Sequence, residues 1–290
     1  MRAESRAKKT TELFNLDNAG GYLYYKEEFS AGEGMGLPEI VTSRKNPLIT
    51  HIRRLLSHRA ARREAGEFAG DGEKLLEEAV RWGAALTAVV YTQRAKLPPI
   101  PEGVRQIQVP EDVMQSLSPM KSPQGVLFTG KIPALRPPER LSGRRWLVLD
   151  GLQDPGNVGT IWRTADALEA DGLLLVNRCA DPWSHKTVRA SMGACFRLLV
   201  WELEAEELAP LLKRSGLPLY AAALGEGAQD VRCIDADRCA LAIGNEGQGL
   251  SQAVLAAGDA LVKIPMRPRC ESLNAAAAAA VLLWELARRA

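Results

Sequence analysis

Three stretches of this chain hold residues whose types and spacing can do chemistry. An apolar run from Cys239 to Ile243 stops at Gly244-Asn245-Glu246-Gly247-Gln248-Gly249. A second run, Ala260 to Ile264, stops at Pro265-Met266, and Ser272-Leu273-Asn274 then opens an alanine-rich segment. A third, Trp146 to Leu149, leaves through Asp150 to Gly159 and feeds a segment carrying Asn157 and, six residues on, Arg163. Short apolar runs that end in polar or glycine-rich loops read as buried strands, and such exit loops build a ligand pocket at the carboxyl edge of a parallel sheet. Gly244, Gly247 and Gly249 permit backbone conformations closed to other residues and let a ligand approach main-chain groups. The backbone after Ile264 and around Leu273 is suited to bracket a flat heterocycle. Glu246, held between glycines, is a poor choice for a mere turn. Each residue also has a plainer reading. Asn157 can be a helix N-cap worth about 1 kcal/mol, Arg163 a surface ion-pair partner, and Ser272 or Asn274 the cap of the last helix. Six residues turn a helix by roughly 600°, so Asn157 and Arg163 do not share a face. Both reach one site only if Asn157 belongs to the loop.

The elements that must position these loops follow from periodicity. Strands are expected at 146–149, 172–176, 196–201 and 217–223, with helices near 158–169 and 204–215. This alternation implies an α/β domain, 143–290, with a parallel sheet covered on both faces. Ahead of it, 131–142 carries Pro133, Pro137 and Pro138 with little apolar content and reads as a linker. Residues 41–130 read as a smaller α/β domain, with strands at 86–92, 104–109 and 125–128 and helices at 73–83 and 111–117. Its first helical stretch, 44–63, contains Arg44, Lys45, Arg53, Arg54, Arg59, Arg62 and Arg63 and no acid. Ile52, Leu55 and Leu56 fall at helical spacing, so one side packs while the basic side faces solvent. Such a field binds phosphate backbones without sequence choice, and the alternative is a solvated helix face. Residues 1–40 lack apolar periodicity, cluster Gly32, Gly34 and Gly36, and read as a flexible tail in which Tyr22-Leu23-Tyr24-Tyr25 is an aromatic patch.

Composition bounds the class. At 290 residues, 46% hydrophobic and 25% charged, the chain is long enough for two soluble domains, and a net charge of +2 is no nucleic-acid signal by itself. Five cysteines (Cys179, Cys195, Cys233, Cys239, Cys270) form no CxxC pair and have no histidine at ligand spacing, which reads as reduced thiols rather than a metal site or disulfide framework. The alanine tract is too short to span a membrane, and no secretory h-region follows the basic N-terminus, so a cytoplasmic protein with no membrane contact is expected. There is no GxGxxG after the 146–149 strand, no GxxxxGK[ST], no GxSxG and no metal-spaced histidine pair.

Resemblance adds what spacing leaves open. LDGLQDPGNVGTIWRTADAL, LAIGNEGQGLS and IPMRPRCESLNAAAAAAVLLWELAR resemble, in order, the three signature motifs of the SpoU/TrmH family, RNA ribose 2′-O-methyltransferases of the SPOUT superfamily. The match covers about 145–290. Residues 44–130, including SRKNP and GEKLLEEAVRWG, resemble the substrate-binding domain often fused in front, although Gly70-Asp71-Gly72 stands where a Val-Glu-Gly type run is more usual. The resemblance implies a deep trefoil knot and an obligate homodimer through the C-terminal domain. It implies S-adenosylmethionine (AdoMet) as methyl donor, held by main chain at Gly244, Ile264 and Leu273 with Met266 and Leu224 lining the pocket, and no metal. It assigns Asn157, Arg163, Glu246 and Asn274 to catalysis. Arg44, Lys45, Arg53 and Arg54 are the expected RNA contacts, and Ser191 in Arg189-Ala190-Ser191-Met192-Gly193-Ala194 either joins them or caps a helix.

These residue types suit the implied reaction. A ribose 2′-hydroxyl must lose its proton as it attacks a sulfonium methyl. Arg163 either stabilises the developing alkoxide or acts as base, and the first role is favoured because a guanidinium is effectively always protonated. Asn157 and Glu246 would orient Arg163 or the ribose, and the family resemblance, with residues shared between subunits, leaves Arg163 to serve either its own site or the partner subunit's. The implied substrate is RNA, rRNA ahead of tRNA. The rival reading is a non-catalytic RNA-binding or ribosome-assembly factor of the same fold, distinguished by cofactor turnover. Resistance methylation of rRNA would share the chemistry and differ in target nucleotide.

Overall fold

The computed structural model describes residues 39–133, 137–235, 237–267, 269 and 272–288. The aromatic patch at 22–25, the rest of the expected tail through residue 38, and Cys270 lie outside the described residues.

The first part of the chain forms a sheet of β1 (Glu39–Ile40), β2 (Glu67–Asp71), β3 (Leu86–Tyr91), β4 (Arg105–Gln108) and β5 (Val126–Lys131), in the order β1-β4-β3-β5-β2. β1, β4 and β3 run parallel, and β5 is antiparallel to β3 and β2. Helices α1 (Pro47–Ser57), α2 (Arg59–Ala65), α3 (Glu73–Arg81) and α4 (Glu111–Leu117) connect the strands. The N-cap of α1 is Asn46, whose Oδ1 accepts the Leu48 N–H at 2.8 Å, and Pro47 fits the first turn because its missing N–H is not needed there. Ile49, Ile52, Leu55 and Leu56 form the buried stripe of α1, packing with α4 on one face of the sheet. Glu39–Ile40, the end of the stretch read as tail, is a strand of this sheet.

The strand β2 was not expected, because Glu67, Gly70 and Asp71 are poor strand residues. Packing explains its glycine: Gly70 lies opposite Phe128 in register, and any Cβ there would fall onto the Phe128 ring. Gly72, with φ +109°, then turns the chain into α3.

The second sheet holds β6 (Arg145–Asp150), β7 (Gly172–Val176), β8 (Leu199–Glu202), β9 (Leu219–Ala222), β10 (Gln229–Asp230), β11 (Cys239–Gly244) and β12 (Ala260–Lys263). Their order is β10-β12-β9-β11-β6-β7-β8 and every pairing is parallel. Helices α5 (Pro155–Ala167), α6 (His185–Ala190), α7 (Ala205–Ser215), α8 (Gln252–Ala257) and α9 (Ala275–Ala287) complete it. Both faces are covered, which is why β6, β7 and β11 read as unbroken apolar runs rather than alternating ones. Trp146, Val148, Ala240 and Ala242 face α7 and α8, whereas Leu147, Leu149, Leu241 and Ile243 face α5 and α9. α5 and α6 approach closely at Gly159, where a Cβ would lie 2.6 Å from that of Ala190.

The two sheets share one apolar core. Phe68, Val89, Val126 and Phe128 of the first pack in the same cluster as Trp162, Trp183 and Phe196 of the second part. Ring centroids are 5.1 Å apart for Phe68 and Trp183, and 6.0 Å for Phe68 and Phe196. Ionic contacts lie beside this core. Arg62, almost fully buried, bonds Asp181 through Nε at 2.8 Å and Nη2 at 2.6 Å. Arg59 and Arg63 both pair with Glu202, and Arg197 pairs with Glu78 and with Asp166. Three of the seven cations in the basic run therefore face the second part of the chain. Leu141, within the expected linker, is buried and donates its N–H to Ser215 Oγ at 2.9 Å.

Removing one partner of a buried ion pair leaves an uncompensated charge, at a cost of about 3–5 kcal/mol. Asp181→Ala is accordingly expected to destabilise the protein by about that amount in urea denaturation. The joint change Arg62→Met with Asp181→Leu, which removes both charges, should cost clearly less.

Candidate active site

The carboxyl ends of parallel strands β12, β9, β11 and β6 lie side by side, so their exit loops meet at one edge. Gly244 ends β11 opposite Asp150, which ends β6. Ile264 follows β12 directly, and Leu224 lies just beyond β9.

The Gly244–Gly249 loop is a tight reversal. The N–H of Asn245 donates to Gly249 O and the N–H of Gly249 to Asn245 O, both at 2.9 Å. Asn245 Oδ1 accepts the N–H groups of Gly247 at 2.9 Å and Gln248 at 3.1 Å, and its Nδ2 donates to Gly151 O at 2.8 Å. The glycines are not equivalent. A Cβ at Gly244 would collide with the Gly249 and Leu250 backbone, and Gly249 has φ +70°, whereas Gly247 meets neither condition.

Beneath the loop, buried Asp150 accepts the Ser251 N–H and the Asn177 Nδ2–H, both at 2.6 Å. Asn177 holds a left-handed φ of 54°, in which its amide also reaches Ser251 Oγ at 3.0 Å. Asp150, Asn177, Asn245 and Ser251 went unnoticed in the sequence. The last polar residue of a central apolar strand, Asp150, was the available signal. Cys179 sits beside them, and burial, reinforced by the Asp150 carboxylate, pushes its thiol up to about 11. It stays protonated and donates to Leu149 O at 3.1 Å. Burial likewise raises Cys195 to about 12 and Cys239 to about 11, leaving no reactive thiolate at these positions.

Asn157 of the first turn of α5, Glu246 of the Gly244–Gly249 loop and Asn274 at the start of α9 come together. Asn157 Nδ2 donates to Glu246 Oε1 at 2.7 Å, and Asn274 Nδ2 donates to Asn157 Oδ1 at 3.1 Å. Asn274 also caps α9, its Oδ1 accepting from Ala276 at 2.9 Å and Ala277 at 3.3 Å. Its structural reading and its place at the site therefore hold together. Asn157 is not the cap of α5. That role belongs to Asp154, whose Oδ1 accepts the Asn157 N–H at 2.8 Å, and Pro155 begins the helix. Asn157 is thus helical, and Arg163 lies roughly 240° around α5 from it and about 9 Å further along. Arg163 is exposed and makes no hydrogen bond or ion pair with another described residue. The structure brings three of the four expected catalytic residues together and leaves the fourth pointing away.

Among the expected AdoMet contacts, Leu224 and Leu273 are 58% and 41% exposed, unusual for leucines, while Ile264 and Met266 are half-buried. Ser191 is not on a nucleic-acid surface. It is fully buried at the C-cap of α6, its Oγ donating to Val188 O at 2.7 Å. Arg44, Lys45 and Arg54 are exposed and Arg53 is half-buried. Arg44 pairs with Asp112 at 2.8 Å and Arg54 with Glu64 at 3.5 Å, surface pairs worth about 0–1 kcal/mol each. Among the described residues no cluster of His, Cys, Asp and Glu is placed to hold a metal, and no helix is long and apolar enough to cross a membrane.

Residues 144–284 match the SpoU rRNA Methylase family, and residues 46–127 match the MRM3-like substrate binding domain. The chain is 30% identical over 248 residues to the Bacillus subtilis 23S rRNA (guanosine(2553)-2′-O)-methyltransferase RlmP, covering 85% of this chain and 98% of that protein. It is 32% identical over 276 residues to a 23S rRNA (uridine(2479)-2′-O)-methyltransferase of Streptomyces viridochromogenes, covering 90% and 96%. Among solved structures, the AdoMet-bound rRNA methyltransferase from Sinorhizobium meliloti superposes with a TM-score of 0.77 at 32% identity, covering 87% of this chain and 98% of that one.

The Asp150 network gives a direct test of what orders the edge. Asp150→Ala leaves the Ser251 N–H and the Asn177 amide without their acceptor, a cost of about 1–3 kcal/mol. Hydrogen exchange across 244–251 should accelerate by roughly tenfold or more, with exchange in β7 and α7 unchanged.

Proposed function

The chain belongs to the SpoU rRNA methylase family, and on that premise we propose that it transfers the methyl group of AdoMet to a ribose 2′-hydroxyl of rRNA. The observation that carries this reading is the bonded chain Asn274–Asn157–Glu246, which joins the starts of α9 and α5 to the Gly244–Gly249 loop at the carboxyl edge of the second sheet. Two relatives matched over nearly their full length are named as 23S rRNA 2′-O-methyltransferases, which supports rRNA as the substrate. Residues 41–130 are assigned to RNA binding and 143–290 to methyl transfer.

The residues at the edge fit AdoMet. Leu224, Leu273, Ile264 and Met266 offer apolar walls, and the tight Gly244–Gly249 reversal offers main-chain groups. Bound there, AdoMet supplies an electrophilic methyl group. Within the protein, Asn274 holds the Asn157 carbonyl oxygen, so the Asn157 amide nitrogen faces Glu246 and fixes that carboxylate. The second Glu246 oxygen is then free to orient the ribose. Arg163 stabilises negative charge on the 2′-oxygen as its proton departs, an electrostatic contribution of the oxyanion-hole kind.

Because Arg163 diverges from Asn157 on α5, it serves the site of a second subunit. The surface of α9 supports pairing. α9 carries one charged residue, Glu285, and Ala277, Val281 and Trp284 form an exposed stripe at helical spacing, with Trp284 61% exposed. An apolar stripe of this kind is buried when a second copy covers it.

Four outcomes check the proposal. Purified protein with labelled AdoMet and unmodified rRNA should yield a labelled 2′-O-methyl nucleotide, and its absence from rRNA and tRNA alike would sink the reading. Arg163→Ala should lower transfer by about 10²–10³-fold while AdoMet affinity, by calorimetry, stays within a few-fold. Trp284→Glu should shift the sedimentation coefficient to that of a monomer. Mixing Arg163→Ala with Asn157→Ala subunits should restore part of the activity that each lacks alone.

A further inference from the structure

The first sheet has a carboxyl edge of its own. β1, β3 and β4 run parallel, and their ends surround a cavity of about 350 Å³ lined by Ile40, Thr92, Gln93, Arg94, Gln108 and Glu111. Loops beyond the carboxyl ends of parallel strands are where such sheets bind ligands. Ile40 and Gln108 are register partners and so project from the same face, whereas Ile107 turns the opposite way into the core beneath α1 and α4.

The chemistry of the lining is specific. Thr92 lines the cavity, and its hydroxyl makes no hydrogen bond with another described residue. Neither do the side-chain amides of Gln93 and Gln108 or the guanidinium of Arg94. Unspent donors and acceptors therefore converge on one cavity beside Ile40, an apolar side chain left 68% exposed. Amides carry a donor and an acceptor together, the pattern that reads a base edge. An apolar side chain packs on the face of an unstacked base. Arg94 supplies a cation for phosphate.

We propose that this cavity holds one unpaired nucleotide of the RNA substrate, with Gln93 and Gln108 reading the base, Ile40 packing on it and Arg94 holding its phosphate. The inference rests on RNA being the substrate, as proposed above. The shared core and the Arg62–Asp181 pair hold this cavity at a fixed span from the methyl-transfer edge. Occupancy by a nucleotide thereby selects which ribose reaches that edge. Gln93 and Gln108 are specificity-determining residues.

The test uses full-length protein and unmodified total rRNA in a filter-binding assay, which does not depend on turnover. Gln93→Ala with Gln108→Ala should weaken rRNA binding about tenfold or more and raise KM for rRNA equally, leaving kcat and AdoMet affinity within twofold. Arg94→Ala should lower the salt dependence of binding by about one unit of slope. With 4-thiouridine-substituted rRNA, photo-crosslinks should map to Ile40 or to 92–94. Wild-type rRNA affinity in the double variant, with no crosslink in these segments, overturns the inference while leaving methyl transfer intact. Competition by free nucleoside monophosphates at micromolar concentration would also overturn it, by marking the cavity as a free-nucleotide site. Failure of the wild-type protein to bind or methylate rRNA would remove both this inference and the functional reading beneath it.

Discussion

A carboxylate buried at the end of a central strand must find hydrogen-bond donors, and the arrangement of the whole methyl-transfer edge follows from where Asp150 finds them. It takes one from the Ser251 backbone and one from Asn177, and so ties the exits of β6, β7 and β11 into one unit. Asn245 adds the link to Gly151 and shapes the Gly244–Gly249 reversal from inside. Asn157, Glu246 and Asn274 can form a chain of hydrogen bonds because the loops that carry them are already fixed by groups one layer down. The polar residues at this edge thus form two tiers, a buried one that sets the backbone and an accessible one that offers side chains to a ligand.

How much of this was legible depends on the physics each element obeys. β6, β7 and β11 were readable because strands buried on both faces leave unbroken apolar runs. β2 was not, because its place comes from pairing with β5 and from the fit of Gly70 against Phe128, a relation between residues far apart in sequence. The start of α5 was misread by three residues. Asp154-Pro155 is the stronger initiation signal, with a capping carboxylate and a proline at the first helical position. The consequence for Arg163 was foreseeable from helical geometry, which separates it from Asn157 once both are in one helix. The role of Asn177 was hidden, since a left-handed asparagine gains its purpose from partners on other strands.

The basic run at 44–63 shows the limit of charge counting most plainly. Seven cations with no acid between them suggest one field facing solvent, yet Arg62 is buried against Asp181, and Arg59 and Arg63 pair with Glu202. A sequence reports the sign of a charge and is silent on which acids the fold will bring to it. Ser191 makes the same point for a hydroxyl: a small polar residue in a glycine-containing loop reads as surface, and burial against α5 makes it a helix cap.

The core that spans both sheets has a consequence for how the chain is made. Phe68 and Phe128 emerge from the ribosome long before their partners, with Phe196 following Phe68 roughly 130 residues later. At about 5–20 residues per second that interval is of the order of ten seconds. In the part of it that follows β5, the nascent first sheet presents to the cell an aromatic face that α3 alone covers in part. Synthesis of this protein therefore includes a dwell in which that face is open to chaperones or to neighbouring nascent chains, and the arrival of Trp183 and Phe196 ends it.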